Sequence, residues 1–100
     1  MASKSIIQAR HECYLCAEQG LYIEQGLDRH HIIFGPMRSK SERYGLWVYV
    51  CAKKHHIYGP EAPHSNREVD IHLKQIAQRQ FESLYSHEKW MQEFGKNYLD

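Results

Sequence analysis

The chain has 100 residues and a formal net charge of +1, which leaves room for one small domain and excludes a strongly basic nucleic-acid tail. An apolar content of 42% is ordinary for a folded domain and excludes a disordered chain. No apolar run approaches the length of a membrane span and no apolar leader follows Met1, so a cytoplasmic protein with no membrane partner is expected.

Residues 1–10 carry no strong pattern and read as an N-terminal extension. Cys13-Tyr-Leu-Cys16 follows. Leu21-Tyr22-Ile23 and the run from His31 to Phe34 read as short strands, with Gly26 turning between them and Gly35-Pro36 stopping the second. Residues 37–43 are polar and read as a loop. Leu46-Trp-Val-Tyr-Val50 is β-branched and aromatic, the pattern of a buried strand, and it runs directly into Cys51. Residues 52–58 read as about two turns of helix, closed by Gly59-Pro60.

Ser65 with Glu68 three residues on is a capping-box pattern. The helix behind it carries Val69, Leu73, Ile76, Ala77, Gln80, Phe81 and Leu84 near one stripe. A break near Ser86 precedes a second helix with Trp90, Met91 and Phe94 on the core, and Gly95 is a natural cap for its end. Residues 11–64 are expected to form the core, and residues 65–100 a C-terminal helical segment of the same domain.

The chain has three cysteines, an odd number, and in a reducing compartment close spacing points to metal ligands rather than disulfides. Cys13-x-x-Cys16 lets both sulfurs reach one tetrahedral ion. Cys51-x-x-x-His55 supplies a second pair, because residues four apart share a helix face. Together they form a Cys₃His set for a structural zinc ion, with His56 as the alternative fourth ligand. The plainer reading is two buried or redox-active cysteines plus one core cysteine.

The chain also has eight histidines, a high number for its length, and His30 and His31 are adjacent at the head of a strand. Strand side chains alternate, so the two rings project to opposite sides. One can bind a divalent metal while the other, oriented through its second nitrogen by a carbonyl or carboxylate, accepts a proton from water. His11, His72 and His87 are assigned no role.

These segments together resemble the HNH family of nucleases, built on the ββα-metal motif. The matching residues are Cys13-x-x-Cys16, Arg29-His30-His31-Ile32, and Val50-Cys51 followed by His55-His56. The likeness is closest to small phage and prophage members, through HHIIFG, SERYGLWVYVC, HSNREV and FGKNYL, and it spans Cys13 to Leu99. It implies an α+β fold: a small zinc-stabilised ββα-metal core with flanking C-terminal helices. It also implies His31 as the general base, His30 and His56 as ligands of a catalytic metal, and His55 in the last zinc position. His64 or Asn66 could complete the metal shell. The family's middle Asn has no counterpart in Gly45-Leu46-Trp47-Val48-Tyr49, so a backbone carbonyl or Tyr49 would orient the base.

The reading is then a metal-dependent DNA endonuclease. The base activates water, and a Mg²⁺, Mn²⁺, Ni²⁺ or Zn²⁺ ion relieves charge on the phosphate. Arg38, Lys40 and Arg43 would contact backbone phosphates without reading sequence, although a basic stretch is equally often a solvated face. The alternative is a zinc-stabilised module without catalysis, binding nucleic acid or protein in a phage assembly, and the missing Asn favours it. A homodimer is a further expectation. A redox or metal-storage protein is the third reading.

Overall fold

The computed structural model describes residues 4–52 and 66–99. Its order is helix α1 (Tyr14–Glu18), strand β1 (Leu27–His31), a 3₁₀ turn (Gly35–Met37), helix α2 (Arg38–Arg43), strand β2 (Trp47–Cys51), helix α3 (Arg67–Leu84) and helix α4 (His87–Phe94). The chain is therefore a small α+β protein, as expected. Among the described residues the sheet has two strands, β1 and β2, paired antiparallel with His30 opposite Val48 and His31 opposite Trp47.

A two-stranded ribbon is marginal alone and needs a covering layer. Helices supply it. The core joins Ile32, Leu46, Val48 and Val50 to Leu73, Ala77 and Phe81 of α3 and to Trp90 and Phe94 of α4. Leu73, Ala77 and Phe81 recur every four residues, which places them in one row down α3. Phe81 is the hub of the aromatic packing, with ring centroids 5.2 Å from Tyr44, 5.5 Å from Trp90 and 5.8 Å from Phe94. Leu84, expected on this stripe, is exposed. Gln78 is buried instead, because its amide holds the C-terminal tail: Nε2 donates to Asn97 Oδ1 at 2.7 Å and Oε1 accepts from Tyr98 N at 2.7 Å.

The open edge of β2 would expose backbone donors and acceptors. The N-terminal extension satisfies them. Ser5 Oγ donates to Trp47 O at 2.6 Å, Tyr49 N donates to Gln8 Oε1 at 2.9 Å, and Ile6 N donates to Gly45 O at 2.9 Å.

Several local expectations are corrected. Leu21-Tyr22-Ile23 is not a strand: these residues are exposed, and their backbone serves the cysteine loop through Leu21 N to Cys16 O (2.9 Å) and Cys13 N to Ile23 O (2.8 Å). The first strand ends at His31 rather than starting there. Residues 38–43 are helix α2, not loop. The polar composition concealed one inward face, where fully buried Ser41 accepts from Ile33 N at 3.2 Å and donates to Leu46 O at 2.6 Å. Helix α3 is capped by Asn66, whose Oδ1 accepts from Glu68 N at 3.0 Å and Val69 N at 3.3 Å. Ser65 lies outside the described residues, as do residues 53–58 of the helix expected over 52–58. Ser86, at the expected break, caps α4, and Gly95 ends it as expected, in the left-handed conformation at φ 73°.

Candidate functional site

Two arrangements carry chemistry, one in sulfur and one in imidazole and carboxylate.

Cys13 and Cys16 lie on the short α1 knuckle, and Cys51 ends β2 opposite Leu27. All three are buried, and their sulfurs lie within 4.8 Å of one another. Cys16 Sγ is 3.7 Å from Cys51 Sγ, too long for a disulfide, and the cysteines are free thiols. It is close to the ~3.8 Å edge of a tetrahedron built on zinc–sulfur bonds of about 2.3 Å. Cys16 N donates to Cys13 Sγ at 3.4 Å, which fixes that sulfur at the helix start.

Burial and the hydrogen bonds to Cys13 and Cys51 push the Cys16 thiol up to about 12. The Cys16 thiol thus resists becoming a thiolate beside two other sulfurs, and a divalent cation would reverse that balance. Donor type, spacing and burial all fit a metal ion, so the three cysteines could hold one. The expected fourth ligand, His55 or His56, lies outside the described residues.

The histidine pair divides as strand alternation requires. His30 is 1% exposed, on the Val48 side of the ribbon, with its ring centroid 6.1 Å from Phe34. His31 lies on the other side with Arg29 and Trp47. His31 Nε2 is 2.7 Å from Glu42 Oε1. An ionised carboxylate only accepts, so Nε2 carries the hydrogen and Nδ1 is the basic nitrogen. Arg29 Nη1 reaches both Glu42 oxygens at 3.1 Å, and its guanidinium carbon stands 3.8 Å from the centroid of the Trp47 ring.

Partial burial works against the Glu42 carboxylate, but hydrogen bonds from His31 and Arg29 outweigh it and hold Glu42 below the usual range. For Arg29, desolvation acts to lower its pKa, and hydrogen bonds to Glu42 and Tyr49 more than offset this and raise it.

The expected phosphate contacts are differently disposed. Arg38 is exposed at the start of α2. Lys40 Nζ donates to Glu93 O at 2.8 Å, and Arg43 Nη2 pairs with Glu93 Oε1 at 3.5 Å, so both tie α2 to α4. His72 and His87, given no role, pair with Glu18 at 2.9 Å and Glu82 at 2.7 Å. His56 and His64 lie outside the described residues, and among those described the cysteines are the one group of three metal-ligating side chains.

Glu42 and Arg29 were missed in the sequence. Alternation from His31 could have put Arg29 on the same side. Nothing in a polar stretch signalled Glu42, which reaches His31 only because α2 folds back beside β1.

The chain matches no family model, no curated protein and no solved structure. Among the described residues no helix is long and apolar enough to cross a membrane.

Proposed function

We propose that the chain is a metal-dependent endonuclease of the HNH type, cutting DNA phosphodiester bonds, with a structural zinc ion. The observation that carries the reading is the oriented His31–Glu42 pair, 2.7 Å apart, between α2 and a two-stranded ribbon whose β2 end belongs to the cysteine cluster. Cys13, Cys16 and Cys51 hold the zinc, and His55 or His56 completes its shell.

His31 Nδ1 takes the proton from the attacking water. The water oxygen bonds to phosphorus as the bond to the leaving oxygen breaks, and that oxygen takes up a proton from solvent. Glu42 keeps the ring in the required tautomer and balances the imidazolium as it forms, while Arg29 fixes the carboxylate. This gives Glu42 the orienting role expected of a backbone carbonyl or Tyr49. A catalytic divalent ion, when bound by His30 with His56 or His64, would supply charge relief on the phosphate.

Purified protein should nick plasmid DNA with Mg²⁺ or Mn²⁺, and His31→Ala should abolish nicking while keeping its zinc. Equal nicking by wild type and His31→Ala would sink the reading.

A second reading is a zinc-stabilised nucleic-acid- or protein-binding module without catalysis. The burial of His30 on the core side of the ribbon favours it, because a catalytic ion needs an open coordination position. It predicts about one zinc per chain, binding, and no cleavage with any divalent ion.

A further inference from the structure

The N-terminal extension, patternless in sequence, walls an open cleft of about 590 Å³ on the His31 side of the ribbon. The cleft is lined by three cations, Lys4, Arg10 and Arg29, and three rings, His11, Trp47 and Tyr49. Among the described residues that line it there is no carboxylate. The rings form a connected series, with His11 and Tyr49 centroids 4.4 Å apart and Trp47 and Tyr49 5.1 Å apart. Gln8 and Ser5 fix the wall through Tyr49 N and Trp47 O, so the cleft belongs to the fold.

We infer that this cleft binds a short stretch of single-stranded DNA, with phosphates against Lys4 and Arg10 and a base against His11 and Tyr49. Cations interleaved with rings suit a strand that is anionic along its backbone and flat at each base. A duplex hides its base faces, so the rings favour an unpaired strand. Arg29 covers Trp47, which leaves the exposed His11 and the half-buried Tyr49 as the stacking surface.

The charge pattern also limits the path. A neighbouring cleft shares Arg10 and His11 but is bounded by Glu12 and Glu24, whose carboxylates repel phosphate. The strand therefore runs from Arg10 towards Arg29, whose guanidinium also holds Glu42 beside His31. The inference deepens the endonuclease reading by naming an unpaired stretch, such as a negatively supercoiled plasmid exposes, as its substrate. It rests on that reading for cutting only, not for binding.

The test is the affinity of zinc-loaded, full-length His31→Ala protein for fluorescein-labelled ten-nucleotide oligo-dT, over a salt series, with no divalent ion added. Binding should weaken steeply with salt. The double variant Lys4→Ala/Arg10→Ala should bind at least tenfold more weakly, with a shallower salt dependence. Tyr49→Leu should lose at least fivefold at an unchanged slope, and the exposed His11→Ala serves the same purpose should Tyr49→Leu fail to fold. No binding, tighter binding of a duplex of the same length, or unchanged affinity in the double variant would overturn the inference. Strand binding by a wild type that cuts nothing with Mg²⁺ or Mn²⁺ overturns the endonuclease reading and leaves this one standing. Plasmid cutting without strand binding does the reverse.

Discussion

His31 Nε2 and Glu42 Oε1 stand 2.7 Å apart, joining a strand end to a helix that begins seven residues later. The carboxylate is not loosely placed, since Arg29 holds both its oxygens. Replacing Glu42 by leucine removes the acceptor and the charge together, whereas glutamine keeps an acceptor. Nicking should fall on the order of ten- to a hundredfold in Glu42→Leu, a share of what a positioned base contributes, and less in Glu42→Gln. Initial rates at saturating DNA check this. An unchanged rate in Glu42→Leu would remove the carboxylate from the reaction.

The same carboxylate makes stability depend on pH. Its folded pKa is depressed by His31 and Arg29, so its contribution is fully present above the usual glutamate value of about 4.3. The contribution is lost as pH falls through the lower folded value. Melting temperatures of wild type and Glu42→Gln should differ near pH 5 and converge towards pH 3. A difference that stays constant over that window would show that the pair adds nothing to folding.

Removal of the proposed zinc should cost more than any surface change. Without a cation, the sulfurs of Cys13, Cys16 and Cys51 lose the group that draws them together. Metal analysis should find about one zinc per chain. Cys51→Ser or a strong chelator should lower the melting temperature sharply, because binding energy in such sites is folding energy. A fold that survives chelation unchanged would instead favour a redox or storage role for the thiols.

Gly45 tests the attachment of the N-terminal extension. It sits at φ 72°, and an added Cβ would collide with the carbonyl oxygen of Lys4 and meet Ile6 N at 3.1 Å. Gly20 has a similar backbone, at φ 83°, but open space around it. Gly20→Ala should cost about 1–2 kcal/mol, the strain alone. Gly45→Ala should cost clearly more and loosen residues 4–8 from β2. Urea unfolding measures both, and equal losses would show that the extension is not seated against Gly45.

Much of the architecture was legible because local physics dictated it. The Leu46–Val50 run could only be a buried strand. The four-residue rows of α3 and α4 marked their core faces, and Ser86 and Gly95 marked the limits of the second helix. The CxxC knuckle and a cysteine next to a buried strand announced three converging sulfurs, although Cys51 closes β2 itself rather than opening the helix expected there.

What remained hidden depended on partners distant in sequence. Residues 38–43 read as loop because helix α2 turns inward through a serine, and a buried hydroxyl is recognisable only by what it bonds, here Ile33 and Leu46. Leu21-Tyr22-Ile23 has strand composition, yet its backbone is taken by the cysteine loop. The adjacency of His30 and His31 determined that their rings diverge. Only the folded chain decided that one faces the core and the other a carboxylate eleven residues away, because a sequence specifies periodicity and chemistry along the backbone, while proximity across it comes from packing.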